Sequence, residues 1–240
     1  MMTMNHIKKQ ISRAYHYLSK NQRKKRYAKK WLAFHRKAWK NKIKNKNVSI
    51  ICSTCIGGVI YHDLGLQFLS PTINMYMHNL DFIRFACNLK HYCSLKLSFI
   101  ETDESFPVAM CGDIRLNFNH SKTAEEAESN WERRKQRINY DNIFLIFYYR
   151  DGFTVEQIRE IEKADCKGKV VLTHKPIGLD YEVYMHGNGD PEQNFLEEDK
   201  YGIRSFEKEW NFVSWLNGTD SKFKKIAFTI IRKYRLLRLR

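Results

Sequence analysis

Short apolar runs alternate with helical patterns along the chain. Val48 to Cys52, Ile143 to Tyr149 and Lys169 to His174 are three apolar, β-rich runs. Between the last two runs, Thr154 to Ala164 has a helical pattern that begins with an N-cap threonine. Strands that alternate with helices are typical of a parallel sheet covered by helices. We therefore predict a layered α/β domain with a mostly parallel sheet flanked by helices.

More elements are predicted between the first two of these runs. Leu80 to Leu95 has apolar positions at helical spacing, and Leu97 to Glu101 is a short apolar run. Val108 to Phe118 is a second apolar run, interrupted at Gly112 and Asp113. Thr123 resembles the N-cap of a helix that continues to Ile138.

The net charge of +16 is concentrated at the two ends of the 240-residue chain. Residues 1–47 contain 16 Lys and Arg and residues 222–240 contain 8, with no Asp or Glu in either segment. The residues between them hold 18 basic and 26 acidic side chains. Apolar residues recur at helical spacing in both basic segments. We predict a basic amphipathic helical arm over 1–47, an α/β domain over 48–218 and a basic amphipathic C-terminal helix over 219–240.

The basic arms predict an anionic partner. Cations interleaved with aromatic and aliphatic residues suit the headgroup region of an anionic membrane. Nucleic acid is the main alternative, and the arms could also pack on the protein's own core. The sequence shows neither a secretory signal nor the ~18 to 20 consecutive apolar residues of a membrane span. We therefore expect a cytoplasmic protein, peripheral at the inner membrane face, with its six cysteines reduced.

The segment Cys55-Ile56-Gly57-Gly58 follows the first predicted strand and is the most specific chemical feature. Paired glycines let backbone N–H groups converge on an oxyanion or a phosphate at a helix start. We expect a thiol there to have a lowered pKa and to act as a nucleophile. The alternatives are a small buried cysteine beside a tight turn and, with Cys52, a C-x-x-C redox pair. No metal site is predicted.

Further candidates come from predicted strand ends and from one helix. His120 ends a strand and is the candidate general base, with Asp113 to orient it and His62 as an alternative base. Arg133 and Arg134 could clamp a sugar or lipid phosphate through bidentate contacts. They could equally lie on a solvated helix face.

Three separated segments together resemble one bacterial family. They are VSIICSTCIGGVIYHDLGLQFLSPTIN, GDIRLNFNH and AEEAESNWERRKQRINYDNIFLIFYYRDG. The resemblance covers roughly residues 48–176 and is to the DUF1919 family, a domain of unknown function whose members are often labelled exopolysaccharide or capsular-polysaccharide biosynthesis proteins. Where members read Ser-Asn-Asn before the cysteine, this chain has Cys52, Ser53 and Thr54.

The resemblance adds site residues and a pathway. Its pattern includes Cys55, Gly57, Gly58, Asp113, His120, Arg133 and Arg134, and adds Tyr61, Asn139 and Asp141 as substrate-binding candidates. It implies a glycan or lipid-linked sugar intermediate at the inner face of the cytoplasmic membrane. We therefore predict a transferase for a surface-polysaccharide intermediate, with acyl, glycosyl and phosphoryl transfer all open. An activated donor would be its co-substrate, and no resident cofactor is predicted. The alternatives are a non-catalytic glycan-binding or assembly subunit and a nucleic-acid-binding protein.

Overall fold

A computed structural model describes residues 4–149, 153–185, 195–198 and 202–220. The helices are α1 (Met4–Lys42), α2 (Ile56–Leu64), α3 (Asn79–Cys87), α4 (Leu89–Ser94), α5 (Ala124–Lys135), α6 (Val155–Arg159), α7 (Ser205–Glu209) and α8 (Phe212–Leu216). The strands are β1 (Ser49–Cys52), β2 (Ser98–Ile100), β3 (Val108–Cys111), β4 (Ile114–Asn117), β5 (Ile143–Tyr148), β6 (Gly168–Thr173) and β7 (Glu182–Tyr184). Short 3₁₀ helices cover Tyr140–Asn142 and Glu160–Lys163.

The central sheet is parallel, in the order β1-β5-β6-β7. Ile51 of β1 pairs with Leu145 of β5, and Ile146 of β5 pairs with Val170 of β6. All residues of β1 and β5 are buried, which is typical of parallel strands covered on both faces. The prediction of a mixed α/β fold with a mostly parallel sheet is confirmed. Strand β7 was not predicted, because its three residues are only half-buried and do not form an apolar run.

A second, antiparallel sheet has the order β2-β3-β4. The predicted run from Val108 to Phe118 folds back on itself at Gly112 and Asp113, so that Cys111 pairs with Ile114. Gly112 has φ 62°, a left-handed conformation that glycine adopts without strain. The single layered sheet expected from the sequence is therefore two sheets, because this turn is too tight for a parallel crossover.

Alternate side chains of the parallel sheet face two apolar clusters. Ile51 and Leu145 face a cluster formed with α3, α4, α5 and the antiparallel sheet. Ile50 and Ile146 face a cluster formed with the end of α1 and with α2, α7 and α8. The parallel sheet is thus the middle layer of the fold. Helices cover its two faces, and the ends of its strands are not covered by these layers.

The N-terminal arm is a single helix, α1, whose C-terminal turns belong to the fold. Leu32 and Trp39 are buried, and the Trp39 ring lies 4.9 Å from that of Phe212. Phe34, on another side of α1, is 70% exposed. The side chains at positions 7, 11, 14, 18 and 31 of the predicted apolar stripe lie outside the described residues, as does the predicted C-terminal helix from residue 221 onward.

A buried ionic cluster joins α1, α2 and α7. The Asp63 carboxylate, 4% exposed, lies 2.5 Å from a guanidinium nitrogen of Arg204 and 3.9 Å from Nε of Arg36. Glu207 is fully buried and lies 3.3 Å from Arg204 and 3.7 Å from Arg36. Two cations facing two carboxylates keep this apolar interface electrically neutral.

The structure divides one predicted helix in two and confirms the predicted N-caps of two others. The helix expected from Leu80 to Leu95 is broken at Asn88, which has non-helical dihedrals (φ −129°, ψ 41°) and donates a side-chain hydrogen bond to the Arg84 carbonyl. Thr123 does cap α5, by accepting from the Glu126 N–H, and Thr154 forms a capping box with Gln157 at α6. Helices α7 and α8 were not predicted, because five residues are too few to establish a period.

Candidate functional site

Cys55 lies between the carboxyl end of β1 and the first residue of α2. Helix α2 packs closely on β1 because of Gly57: a Cβ there would lie 2.8 Å from Cβ of Cys52. Ser53, between strand and helix, accepts a hydrogen bond from the Tyr148 N–H and donates its own N–H to the Ile146 carbonyl. The cysteine is therefore held at the edge of the parallel sheet by backbone contacts to β5.

The loop after residue 70 connects this edge to the antiparallel sheet. The Thr72 hydroxyl accepts from the Cys52 N–H at 3.0 Å, and the Met77 N–H donates to the Ser53 carbonyl at 3.1 Å. Tyr76 and Asn117 then exchange two backbone hydrogen bonds. As a result, the end of β4 lies beside the end of β1.

Sγ of Cys55 and Nε2 of His120 lie 3.2 Å apart. The cysteine is half-buried and the histidine is exposed, so both atoms are near solvent. His120 is in the turn after β4, which a hydrogen bond from the Ser121 N–H to the Phe118 carbonyl closes. The structure thus brings together the predicted nucleophile and the predicted base.

The Cys55 thiol does not have the lowered pKa expected from the sequence. Burial, with a smaller contribution from Cys52, raises its pKa to about 11. Cys55 has helical dihedrals (φ −67°, ψ −7°) and its side chain makes no capping hydrogen bond. The Gly57 N–H approaches the sulfur of Cys52 instead. The thiol is therefore protonated at neutral pH and needs a base before it can attack.

Asp113 is not brought to this pair. It lies at the turn between β3 and β4, at the opposite end of β4 from His120. Its carboxylate accepts from the Tyr92 hydroxyl at 2.8 Å and pairs with Arg84 at 3.4 Å. The Tyr92 hydrogen bond holds the pKa of Asp113 below its usual value. Among the described residues, no carboxylate contacts His120.

The alternative base, His62, is also remote. It lies seven residues after Cys55 on α2, about 10 Å along the helix axis at 1.5 Å per residue. Its side chain is 83% exposed and contacts the neighbouring Asp63.

The arginines and glycines of the predicted phosphate site have other contacts. Arg134 donates to the Ile73 carbonyl at 2.8 Å and lies over the Phe68 ring. Arg133 donates to Asn130, one turn earlier on α5. Gly57 serves the packing of α2 on β1, and a Cβ on Gly58 would make only ordinary contacts with the loop after residue 70. These four residues do not converge on Cys55.

Tyr61, Asn139 and Asp141 hold the other end of the sheet. The fully buried Tyr61 hydroxyl donates to the Val48 carbonyl and accepts from the Ile50 N–H, and burial raises its pKa. Asn139 accepts from the Asp141 N–H and donates to the Asn47 carbonyl. These contacts join the segments that enter β1 and β5, and therefore lie at the amino ends of both strands, away from Cys55.

A cavity of about 170 Å³ lies next to Cys55, at the carboxyl ends of β1 and β5. It is lined by Ser53, Thr54, Tyr76, Met77, His78, Asn79, Tyr148 and Phe153. Ligands of open α/β sheets bind at this edge. Most of these lining residues were missed by sequence reasoning. Pro71 is a local signal that could have found them, because a proline marks a break in the chain just before this loop.

One polar atom near the pair is unsatisfied. Oδ1 of Asn119, the residue before His120, is buried and has no hydrogen-bond donor within the described part of the chain. Buried acceptors of this kind are rare in folded proteins.

Neither a membrane-spanning helix nor a metal-binding cluster is found among the described residues. None of the described helices combines the length and the apolar character needed to cross a membrane. Within the same residues, no three His, Cys, Asp or Glu side chains are grouped so as to hold a metal ion.

Comparison of the sequence with known proteins identifies a family and a relative. The profile of DUF1919, a domain of unknown function, matches residues 23–217. An "Uncharacterized protein" of Haemophilus influenzae is 30% identical over 188 residues, which cover 77% of this chain and 91% of that protein. The family profile covers the second half of α1, strand β1, the loop after residue 70 (the cavity loop) and α8. The chain therefore belongs to the DUF1919 family.

Proposed function

We propose that this protein is a cysteine-dependent acyltransferase in which Cys55 carries the acyl group and His120 moves the protons. The observation that carries this proposal is the 3.2 Å approach of Cys55 Sγ to His120 Nε2 beside a cavity. A nucleophile and a base within hydrogen-bond reach are the minimum arrangement for covalent acyl transfer.

The reaction has two steps. Sγ of Cys55 attacks the carbonyl carbon of an activated acyl donor while its proton passes to Nε2 of His120. The bond to the donor's oxygen or sulfur breaks, and the leaving group takes that proton, which leaves a thioester on Cys55. An acceptor hydroxyl then attacks the thioester and gives its proton to His120. The product ester leaves, and the sulfur regains the proton.

The raised pKa of the Cys55 thiol supports a base-dependent mechanism. With a pKa of about 11, little thiolate is present at neutral pH. Proton removal by His120 must therefore accompany the attack, and catalysis depends on the histidine as much as on the cysteine.

Acyl transfer is favoured over glycosyl and phosphoryl transfer because of the contacts around the site. Phosphoryl and nucleotide-sugar donors need cations or converging N–H groups on their phosphates. Arg133 and Arg134 contact Asn130 and the Ile73 carbonyl instead, and Gly57 fills a packing role. Acyl transfer needs the thiol, the base, an activated acyl donor and an acceptor, and the acyl group that is transferred carries no phosphate.

We propose a hydroxyl of a surface-polysaccharide intermediate as the acceptor. The support is the sequence resemblance, which implies exopolysaccharide or capsule synthesis on a lipid carrier at the inner membrane face. A glycan presents many hydroxyl groups, and an ester on one of them is the product that a thioester intermediate delivers.

We further propose that α1 places the protein on an anionic membrane. Arg23, Arg26 and Lys30 are exposed on α1, and Tyr17 and Phe34 are 66% and 70% exposed on the same helix. Exposed aromatic rings beside cations gain by entering a lipid headgroup region. Contacts to nucleic-acid phosphates would use the cations alone.

Acyl transfer is tested by trapping the thioester. The full chain is incubated at neutral pH with p-nitrophenyl acetate and, separately, with acetyl-coenzyme A, and the peptides are analysed by mass spectrometry. One acetyl group is expected on Cys55, and little or none on the half-buried Cys87 and Cys166. His120→Gln should reduce the rate of acetylation by about 10²-fold or more. Equal labelling of all three cysteines, or no effect of His120→Gln, contradicts the proposal.

Membrane docking is tested by co-sedimentation with vesicles of phosphatidylglycerol and, in parallel, of phosphatidylcholine. The triple variant Arg23→Gln, Arg26→Gln, Lys30→Gln should lose binding to the anionic vesicles. A matched triple variant with the same charge change on the α/β domain, Lys96→Gln, Lys122→Gln, Lys167→Gln, should retain it. Preferential binding to duplex DNA at the same ionic strength would favour the nucleic-acid alternative.

A further inference from the structure

The cavity beside Cys55 has the volume of one six-membered ring. It measures about 170 Å³. For scale, a cavity of about 150 Å³ holds one benzene molecule. A nucleotide, a disaccharide or a long acyl chain would have to extend out of it into solvent.

The cavity lining combines apolar and polar groups, which fits neither an alkyl group nor a phosphate. The aromatic rings of Tyr76 and Phe153 and the side chain of Met77 contribute apolar surface. Thr54, His78 and Asn79 contribute polar groups, and none of the described lining residues is Lys or Arg. An alkyl group would offer no hydrogen bond to the Thr54 hydroxyl or to the His78 ring, and a phosphate would have no cation.

A pyranose ring has both kinds of surface. Its C–H faces are apolar and fit against aromatic rings, whereas its rim carries hydroxyl groups that donate and accept hydrogen bonds. His78 is exposed at the N-cap of α3, and its side chain makes no capping hydrogen bond. The Thr54 hydroxyl is likewise near the cavity, and its two contacts are both long: 3.5 Å to the Ile56 N–H and 3.8 Å to the Cys52 sulfur.

The backbone places this cavity within reach of the reacting atoms. Thr54 is the residue before Cys55, and the cavity loop is joined at Tyr76 to Asn117, three residues before His120. Cys55 and His120 do not line the cavity themselves, so a bound ring has to project a hydroxyl group out of the cavity toward the thioester on Cys55.

We propose that this cavity is the acceptor subsite and binds a single hexopyranose unit, with Tyr76 and Phe153 against the ring and Thr54 and His78 on its hydroxyl groups. This inference rests on the proposed acyl transfer, for which it names the acceptor and its binding residues. It predicts that a monosaccharide unit at the end of a glycan suffices for recognition.

The test measures binding without turnover. The full-length Cys55→Ser variant is titrated with methyl glucopyranoside, methyl galactopyranoside and methyl N-acetylglucosaminide, and binding is followed by saturation-transfer NMR. Sodium butyrate and inorganic phosphate are the comparison probes. At least one pyranoside should bind, whereas butyrate and phosphate should not.

Variants of the lining decide whether the sugar occupies this cavity. Thr54→Val should weaken binding by roughly three- to tenfold, the change expected when one neutral hydrogen bond is lost. Tyr76→Ala should weaken it further, and Tyr76→Phe, which keeps the ring, should restore most of it. Ile100→Ala, at an exposed apolar position of β2, is the control and should leave the affinity unchanged.

The outcomes separate this inference from the proposed reaction. Absence of pyranoside binding, or binding that Thr54→Val and Tyr76→Ala leave unchanged, overturns the subsite even if Cys55 accepts an acetyl group. Pyranoside binding that is weakened by both variants supports the subsite. If no acetyl group is then found on Cys55, that second result contradicts the acyl transfer and not the subsite.

Discussion

Tyr76, in the loop after residue 70, and Asn117, at the end of β4, exchange two backbone hydrogen bonds of 3.0 and 3.1 Å. The side chain of Asn117 is fully buried and adds contacts to the Tyr76 carbonyl and to Nε of Arg115. Because Met77 is bonded to Ser53 in turn, this bridge sets where the end of β4 lies relative to Cys55.

Asn117→Ala should therefore weaken both the fold and the site. We expect a loss of about 1–3 kcal/mol in unfolding free energy, because buried polar partners are left unpaired. Acetylation of Cys55 should also slow, since His120 follows β4. Urea unfolding and mass spectrometry measure the two effects. The exposed Asn41→Ala is the control. Normal acetylation in a destabilised Asn117→Ala protein would show that the Asn117 side chain does not position His120.

The reactivity of Cys55 should depend on pH in a defined direction. Burial raises the thiol pKa from 9.0 to about 11, so the folded protein disfavours the thiolate. Alkylation of Cys55 by iodoacetamide should thus be slow at pH 7 and rise up to about pH 11. The same shift contributes stability below pH 9 that is lost as the pH rises from 9 toward 11. An alkylation rate that is already at its maximum at pH 7, and does not rise further with pH, would mean that Cys55 is a thiolate at neutral pH and would contradict this prediction.

The two adjacent glycines of α2 should respond differently to alanine. Gly57→Ala places a Cβ 2.8 Å from Cβ of Cys52, a backbone-near atom that cannot move aside. We expect it to destabilise the protein by about 1–3 kcal/mol through overpacking. Gly58→Ala is the matched control: its nearest contact is 3.5 Å, and alanine favours the helix. Equal urea midpoints for the two variants would refute the packing role of Gly57.

The ionic cluster under α1 should be important for stability. Asp63→Asn leaves Arg204 and Arg36 facing one carboxylate fewer in a buried interface, and we expect a loss of about 3 kcal/mol. Asp113→Asn is the matched substitution at a side chain that is 65% exposed, and its effect should be much smaller. Thermal unfolding compares them. Similar melting temperatures for the two variants would mean that the cluster contributes little.

Local sequence patterns were sufficient to predict the strands and helix caps that depend on residues close together in the chain. The apolar runs of β1, β5 and β6, the N-caps Thr123 and Thr154, and the position of Cys55 after a strand all follow from residues a few positions apart. Periodicity and capping are short-range effects, so the sequence states them directly. The short elements β7, α7 and α8 have too few residues for such a pattern.

The sequence by itself determined the α/β class and the mostly parallel sheet, and it singled out the two residues of the proposed cysteine-histidine pair. Only the tertiary structure decided that Cys55 and His120, 65 residues apart, lie within 3.2 Å, and that Asp113 and the arginines do not join them. The pairing depends on the hydrogen bonds through Tyr76, Met77 and Asn117, and the pKa of Cys55 depends on its burial. Both are properties of the packed chain, because they arise from contacts between residues that are distant in the sequence.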